Sequence, residues 1–403
     1  MFTSITLYRD FRLVWMGSWT EHMGEWMETT ALLWLINQMT HSPFMGTLMV
    51  TLRFLPMVVF AYVGGLVADR FDRRLLLMNA LAAGAALSIV LAALVHFGAI
   101  ESWHLLAYSV ISGIINSFNH PARNSLVPNL VRKEHYLNAI TLDNATVMSS
   151  RMLGAPLAGF IISFAGTTPV LGLRAVGAIG AIMWLIGVQT PAAQFERRKT
   201  PFSAFAEGIR YVGKHKNILT QILLYLLPIF ITNSYTGLLP YVATDKLHVG
   251  SDLYGIMQAA PGAGAVIAIL ILAPLINFRR KGFLILLSGI AQGVFLVFFA
   301  VSPVYLLSVL LLVLIGGTNT AFMTVNNTVI QEMLPDRVRG RVMSLREVAF
   351  GLGPAGSLIS GAIAGVFGVT LALSVAGGLS VVVLLGILLG FPQRRRQDAS
   401  PDS

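Results

Sequence analysis

The chain contains no cysteine. That excludes a disulfide framework, a thiol nucleophile and any cysteine-ligated metal. Charge is almost as scarce. Only 11% of the 403 residues are Asp, Glu, Lys or Arg, where a soluble domain carries about 25%. There is no glycine-rich loop closing on Gly-Lys-Ser or Gly-Lys-Thr, so the sequence offers no ATP site. No spacing suits zinc, and no Ser, His and Asp set lies in a segment long enough to order itself outside the apolar runs. No catalytic residue, metal or cofactor is therefore expected.

Apolar surface is what the chain has in abundance. Hydrophobic residues make up 55% and the mean hydropathy is +0.73. Lipid is the solvent for most of such a chain. The net charge of +10 is not a nucleic-acid footprint, because the basic residues gather in short segments between apolar runs. The roughly ten residues before the first run show no small-residue cleavage site, so that run is expected to be retained.

A bilayer takes about 20 helical residues to cross. Hydropathy and breaks place spans near residues 11–37, 44–68, 75–97, 103–127, 138–163, 168–190, 217–243, 252–276, 282–300, 303–331, 341–366 and 369–391. The expected fold is an all-α membrane protein with twelve transmembrane helices in two pseudo-symmetric six-helix bundles. Residues 1–190 form the first bundle and 217–391 the second, with a cytoplasmic tail at 392–403. Residues 191–216 link the two. There Phe202, Phe205, Ile209 and Val212 recur at helical spacing, which predicts an amphipathic helix on the cytoplasmic surface.

Orientation follows from Lys and Arg. With the N-terminus inside, the cytoplasmic segments hold 24 of the 28 basic residues. Lys246 alone lies outside, and Arg53, Arg151 and Arg174 fall within spans. Both termini are thus expected to be cytoplasmic.

One tight turn organises the first bundle. Residues 64–74 read Gly-Gly-Leu-Val-Ala-Asp-Arg-Phe-Asp-Arg-Arg and sit between two long apolar runs. Topology alone accounts for Arg70, Arg73 and Arg74 but not for Gly65 and Asp69, which stand at fixed offsets from them. The pattern resembles the loop between helices 2 and 3 of the major facilitator superfamily. The two halves also look like a repeat. Leu126 to Lys133 places a Pro and basic residues before the Gly/Pro-rich stretch Leu153 to Gly159, and Met333 to Arg339 does the same before Leu352 to Gly361. Such repeats build many secondary transporters.

Within the superfamily the chain resembles bacterial exporters of the macrolide and enterobactin types. The stretches His120 to Pro128, Glu207 to Val212 and Pro335 to Ser344 carry that likeness. One departure weakens the inference to antiport. Exporters of this type usually carry adjacent Gly-Pro in the fifth span, whereas Ala155 here separates Gly154 from Pro156; the eleventh span keeps Gly353-Pro354. The resemblance implies gating by the residue 64–74 turn. Asp69 would accept hydrogen bonds from amides near Arg341 to Leu345, and the arginines would hold nearby carboxylates or carbonyls, with Asp336 and Glu347 as candidates.

The first span carries Glu21, Glu25 and Glu28. Their spacing puts all three carboxylates on one helical face. A lipid-facing triplet is too costly, so the face lines a cavity or pairs with cations. Three stacked acids cannot all be charged cheaply. Arg53 is expected level with Glu25 and Glu28, and Arg151 level with Glu21. Two arginines would then neutralise two acids and leave one, Glu25 by preference, to carry a proton and to compete for a cationic or hydrogen-bonding substrate. Static ion pairing is the competing reading of the same residues.

In this superfamily the first, fourth, seventh and tenth spans surround the cavity. Polar faces occur on each: Asn116, Asn119 and His120; Asn233, Thr236 and Tyr241; Thr320, Thr324 and Asn327. Ordinary interhelical hydrogen bonding accounts for many such residues. Arg123 and His120 fall near the cytoplasmic end, where a gate is expected. The resemblance implies export of a small amphipathic molecule, drug-like or siderophore-like, by proton antiport and alternating access. The protein would act as a monomer in the bacterial inner membrane. Uptake of a small solute, or a non-transporting receptor or scaffold, are the alternatives.

Overall fold

The computed structural model describes residues 3–70, 72–188, 201–272 and 280–390, and every regular element among them is helical. A short α1, Thr3–Leu7, leads into α2, Arg9–Thr40. Then come α3, Pro43–Arg70, α4, Arg73–His96, α5, Ser102–Leu126, α6, Tyr136–Ala165, and α7, Thr168–Ile186. After α8, Pro201–Lys214, follow α9, Lys216–Thr232, α10, Tyr235–Tyr241, and α11, Ser251–Leu272. The last are α12, Lys281–Val301, α13, Tyr305–Met333, α14, Asp336–Phe367, and α15, Val369–Gly390.

Nine helical stretches among the described residues are long and apolar enough to cross a membrane. Expected spans missing from that group are α2, α5 and α14. At 32, 25 and 32 residues they are long enough at about 1.5 Å per residue. In α2 and α5 the acids, arginines, asparagines and histidines lower the hydropathy, while in α14 the described apolar stretch is the shorter Gly353–Phe367. Of these less lipid-like helices, α2 and α5 are thus the ones that hold most of the expected polar chemistry.

Helix ends follow local rules. Asp72 caps α4, its carboxylate accepting from the amides of Arg74 at 2.8 Å and Leu75 at 3.2 Å. The ends of α6 and α14 fall at Gly166 and Gly368, with φ of 76° and 87°, a conformation glycine adopts at little cost. The span expected at 217–243 is not continuous. It breaks at Asn233 and Ser234 into α9 and α10, and Val242–Lys246 winds on as a wider π turn. Ser234 donates its hydroxyl to the Ile231 carbonyl at 3.1 Å, which satisfies backbone freed by the break. Pro240 then lacks the amide that a regular helix would use.

Two compact units form. One joins Met1–His41, Leu52–Pro201 and Val249–Ala259; the other joins Ser42–Thr51, Phe202–His248 and Ala260–Ser403. In the first, α2 packs on α6 and α7, and α4 on α5 and α7. In the second, α9 packs on α14 and α15, and α12 on α13 and α15. The same pairing order therefore recurs in both. The core of the first unit holds Phe11, Val14, Leu77, Leu81 and Leu185. Val212 of α8 is buried with Ile218, Ile222, Ile330 and Val342, so that end of α8 docks on the second unit. Ile209 is exposed; the side chains of Phe202 and Phe205 lie outside the described residues.

Candidate functional site

The α2 acids are placed by close helix packing. On α7, a Cβ at Gly177 would lie 2.7 Å from the Thr20 carbonyl oxygen, and one at Gly24 of α2 would lie 3.2 Å from the Arg174 Cα. Small residues let the two backbones meet. Arg174 is thereby carried to Glu28, with Nε 3.3 Å from Oε2. Gly113 of α5 does the same for α3, since a Cβ there would press on the Arg53 carbonyl. Arg53 then reaches Glu25 at 3.1 Å and Glu28 at 3.7 Å.

Glu21 is held from α5. Arg123 forms an ion pair with it, and Asn119 donates Nδ2 to its Oε1 at 2.7 Å. Arg123 also donates to His22 Nε2. A guanidinium can only donate, so Nε2 accepts and the His22 Nδ1–H points to Glu25 Oε2, 3.3 Å away. A continuous chain of polar contacts runs from Glu21 through Arg123 and His22 to Glu25, Arg53, Glu28 and Arg174. Its ends are closed to solvent: the Glu21 and Glu28 side chains are 4% and 2% exposed, while Glu25 is 22% exposed. His120 lies within electrostatic reach of Glu25, His22 and Asp143.

This geometry corrects two expectations. Glu21 pairs with Arg123, not with Arg151, so Arg123 joins the charged network. Three arginines face the three acids, because Arg174 joins Arg53 and Arg123, and no acid is left unpaired as a bare site for a cation. Arg151 instead donates Nε to the Gln258 carbonyl at 3.2 Å and lies over the Trp26 ring at 4.7 Å. Arg174 was detectable in the sequence as an embedded charge. Its partner was not, because helix rotation depends on Gly24 and Gly177.

The other expected residues scatter. Asn116 is half-buried on α5. Asn233 ends α9, Thr236 is half-buried, and Tyr241 is fully buried in packing. Thr320 is half-buried and Thr324 exposed on α13, and Asn327 accepts from Gln331 at 3.3 Å. In the turn after α3, Arg73 donates to the Ser125 carbonyl at 3.2 Å. Arg74 donates to the Leu185 and Ile186 carbonyls at 2.8 and 2.7 Å. Both cations serve carbonyls at helix C-terminal ends, where positive charge is favoured. The surroundings of Gly65 and the side chains of Asp69, Arg70, Asp336, Arg341 and Glu347 lie outside the described residues. The expected Asp69 contacts fall there. Among the described residues no cluster of acids and histidines suits a metal.

Three comparisons with known proteins bear on family and fold. Residues 6–403 match the family model described as transmembrane secretion effector. The enterobactin exporter EntS of Citrobacter koseri is 26% identical, covering 96% of this chain and 93% of its own length. The staphyloferrin A transporter of Staphylococcus aureus is 24% identical, covering 90% and 91%. The fold is shared with a bacterial homolog of the human lysosomal transporter Spinster, at TM-score 0.76 and 13% identity over 97% of this chain and 98% of that one. The nucleoside transporter NupG gives 0.74 and 14% over 95% and 99%. Apolar helices, embedded ion pairs, a repeated helix pairing and a match over nearly the whole length converge: the chain belongs to the transmembrane secretion effector family of the major facilitator superfamily and is a multi-pass membrane transporter.

Proposed function

We propose that this transporter exports a small amphipathic, siderophore-like molecule across the bacterial inner membrane in exchange for protons. The twelve spans form two pseudo-symmetric bundles that alternate access to a central cavity, with 191–216 as linker and both termini cytoplasmic. The Lys and Arg distribution supports that orientation. The names of the two curated relatives support the substrate class.

The observation that carries the coupling is the α2 network. Buried carboxylates in a membrane bundle are costly and mark proton or ion pathways. Glu25 is the least buried of the three acids. It also shares its two oxygens between Arg53 and His22. A proton taken up at Glu25 cancels the anion that holds both. Arg53 is left to Glu28, and the His22 Nδ1–H loses its charged acceptor. Loss of the proton restores both contacts. One titration thus releases the link to α3 and the His22 contact within α2 together, which is how a proton can bias a conformational equilibrium. Glu21 and Glu28 keep their own arginines throughout and hold the network in register.

Of the polar residues expected at the cavity, Asn116 and His120 of α5, Asn233 and Thr236, and Thr320, Thr324 and Asn327 of α13 are the ones proposed to meet the substrate, since Asn119 serves Glu21 and Tyr241 is packed away. Gly65, Asp69, Arg70, Arg73 and Arg74 form the gating turn, so Asp69→Asn keeps expression and slows transport. The test is flux in proteoliposomes with an imposed pH gradient, using enterobactin and staphyloferrin A as probes. Gradient-driven accumulation on the extracellular-facing side, abolished when the gradient is collapsed, is the expected result. Equilibration that ignores the gradient would overturn antiport, and accumulation on the cytoplasmic-facing side would overturn export.

A further inference from the structure

Arg151 is the embedded arginine that stands apart from the α2 network, and it carries an inference that rests on the transport reading and narrows its substrate. It sits midway along α6, half-buried. Among the described residues it forms no ion pair with any carboxylate. Its Nε donates to the Gln258 carbonyl at 3.2 Å, and its buried Nη2 has no hydrogen-bond partner. A buried cation without a counter-ion is destabilising in a bundle, and intramembrane charges of this kind mark sites of function.

A second observation points to the same place. Gln258 of α11, whose carbonyl Arg151 contacts, is fully buried. Both its side-chain Oε1 and Nε2 lack a partner. An amide buried with neither atom satisfied loses its hydration with nothing in return. Trp26 completes the group. Gly154, one turn after Arg151, lets α2 approach so closely that a Cβ there would lie 2.9 Å from the Met23 carbonyl and 3.3 Å from the Trp26 Cβ. That packing sets the indole under the guanidinium, 4.7 Å from ring centre to Arg151 Cζ.

One chemical group answers these needs together. A carboxylate supplies the missing negative charge and two coplanar acceptors for the guanidinium edge. A hydroxyl beside it can both donate to and accept from the Gln258 amide. The Trp26 ring provides an apolar face for the carbon skeleton. We infer that Arg151, Gln258 and Trp26 form an anion-recognising subsite, and that the transported molecule carries a carboxylate flanked by a hydroxyl. The α2 acids are balanced by their own arginines, so an acidic substrate meets no uncompensated negative charge there.

The test uses the full chain in lipid nanodiscs and two probe pairs: salicylate against methyl salicylate, and citrate against trimethyl citrate. Tryptophan quenching and the shift in unfolding temperature both report binding. In the wild type at least one acid binds tenfold or more tightly than its neutral ester. Arg151→Gln abolishes that preference, and Arg151→Lys retains part of it. Glu25→Gln keeps the preference, which separates this subsite from the coupling mechanism. Acid and ester binding equally, or not at all, to the wild type overturns the inference even where Arg151→Gln fails to fold. A preference that survives in a folded Arg151→Gln overturns it as well.

Discussion

The helices α2 and α9 occupy the same place in the pairing order of their units, yet they carry opposite chemistry. Three of the four acids on α2 meet arginines from α3, α5 and α7. There is no acid on α9 at all. Its counterpart contact is aromatic: Tyr225 accepts a hydrogen bond from Arg346 of α14 at 2.9 Å and lies under that guanidinium at 4.3 Å. The first unit makes a related contact between Arg151 of α6 and Trp26 of α2, where the indole has no oxygen to accept. The repeat thus fixes which helices touch. The side chains at those contacts are free to diverge, and among the described residues the buried ion pairs of these helices stand on α2.

The most damaging way to break this contrast is to remove one arginine from the α2 network. Arg123→Ala strands the buried Glu21 carboxylate, which costs about 3–5 kcal/mol. Thermal unfolding in detergent measures it. Thr324→Ala on the exposed face of α13 changes stability by no more than about 0.5 kcal/mol. Similar losses at both sites would erase the distinction between the units.

Packing comes next in size. Gly24→Leu forces α2 from α7 and pulls Arg174 away from Glu28, with an expected loss of about 1–3 kcal/mol. The smallest effect is the sharpest discriminator. A double-mutant cycle on Glu21 and Arg123 gives a coupling of about 0.5–3 kcal/mol, whereas Glu21 and Arg151 add within about 0.5 kcal/mol. Coupling to Arg151 instead would restore the pairing expected from depth along the sequence.

Depth is what the sequence reveals well. Hydropathy placed the helices, and the period of α2 put Glu21, Glu25 and Glu28 on one face. Arg53 fell level with Glu25 because both positions are counted from nearby helix ends. Rotation about a helix axis is what it conceals. Arg151 was expected level with Glu21 and Arg123 near the cytoplasmic end, yet the partner depends on which face of α5 or α6 turns toward α2. Glycine contacts at Gly113, Gly154 and Gly177 set those rotations, and a glycine in a sequence does not announce what it touches. The break in the seventh span was hidden for a similar reason: Asn233 and Ser234 lie within an apolar run whose hydropathy continues across them.

The central claim is that Glu25 couples transport to protons while Glu21 and Glu28 serve structure. Counterflow and gradient-driven flux of the same probe, measured side by side for Glu25→Gln in proteoliposomes, test it most directly. The variant is expected to exchange probe across the bilayer at near wild-type rate and to lose accumulation driven by the pH gradient. If Glu25→Gln still accumulates the probe against its gradient, the proton is carried elsewhere and the account is wrong.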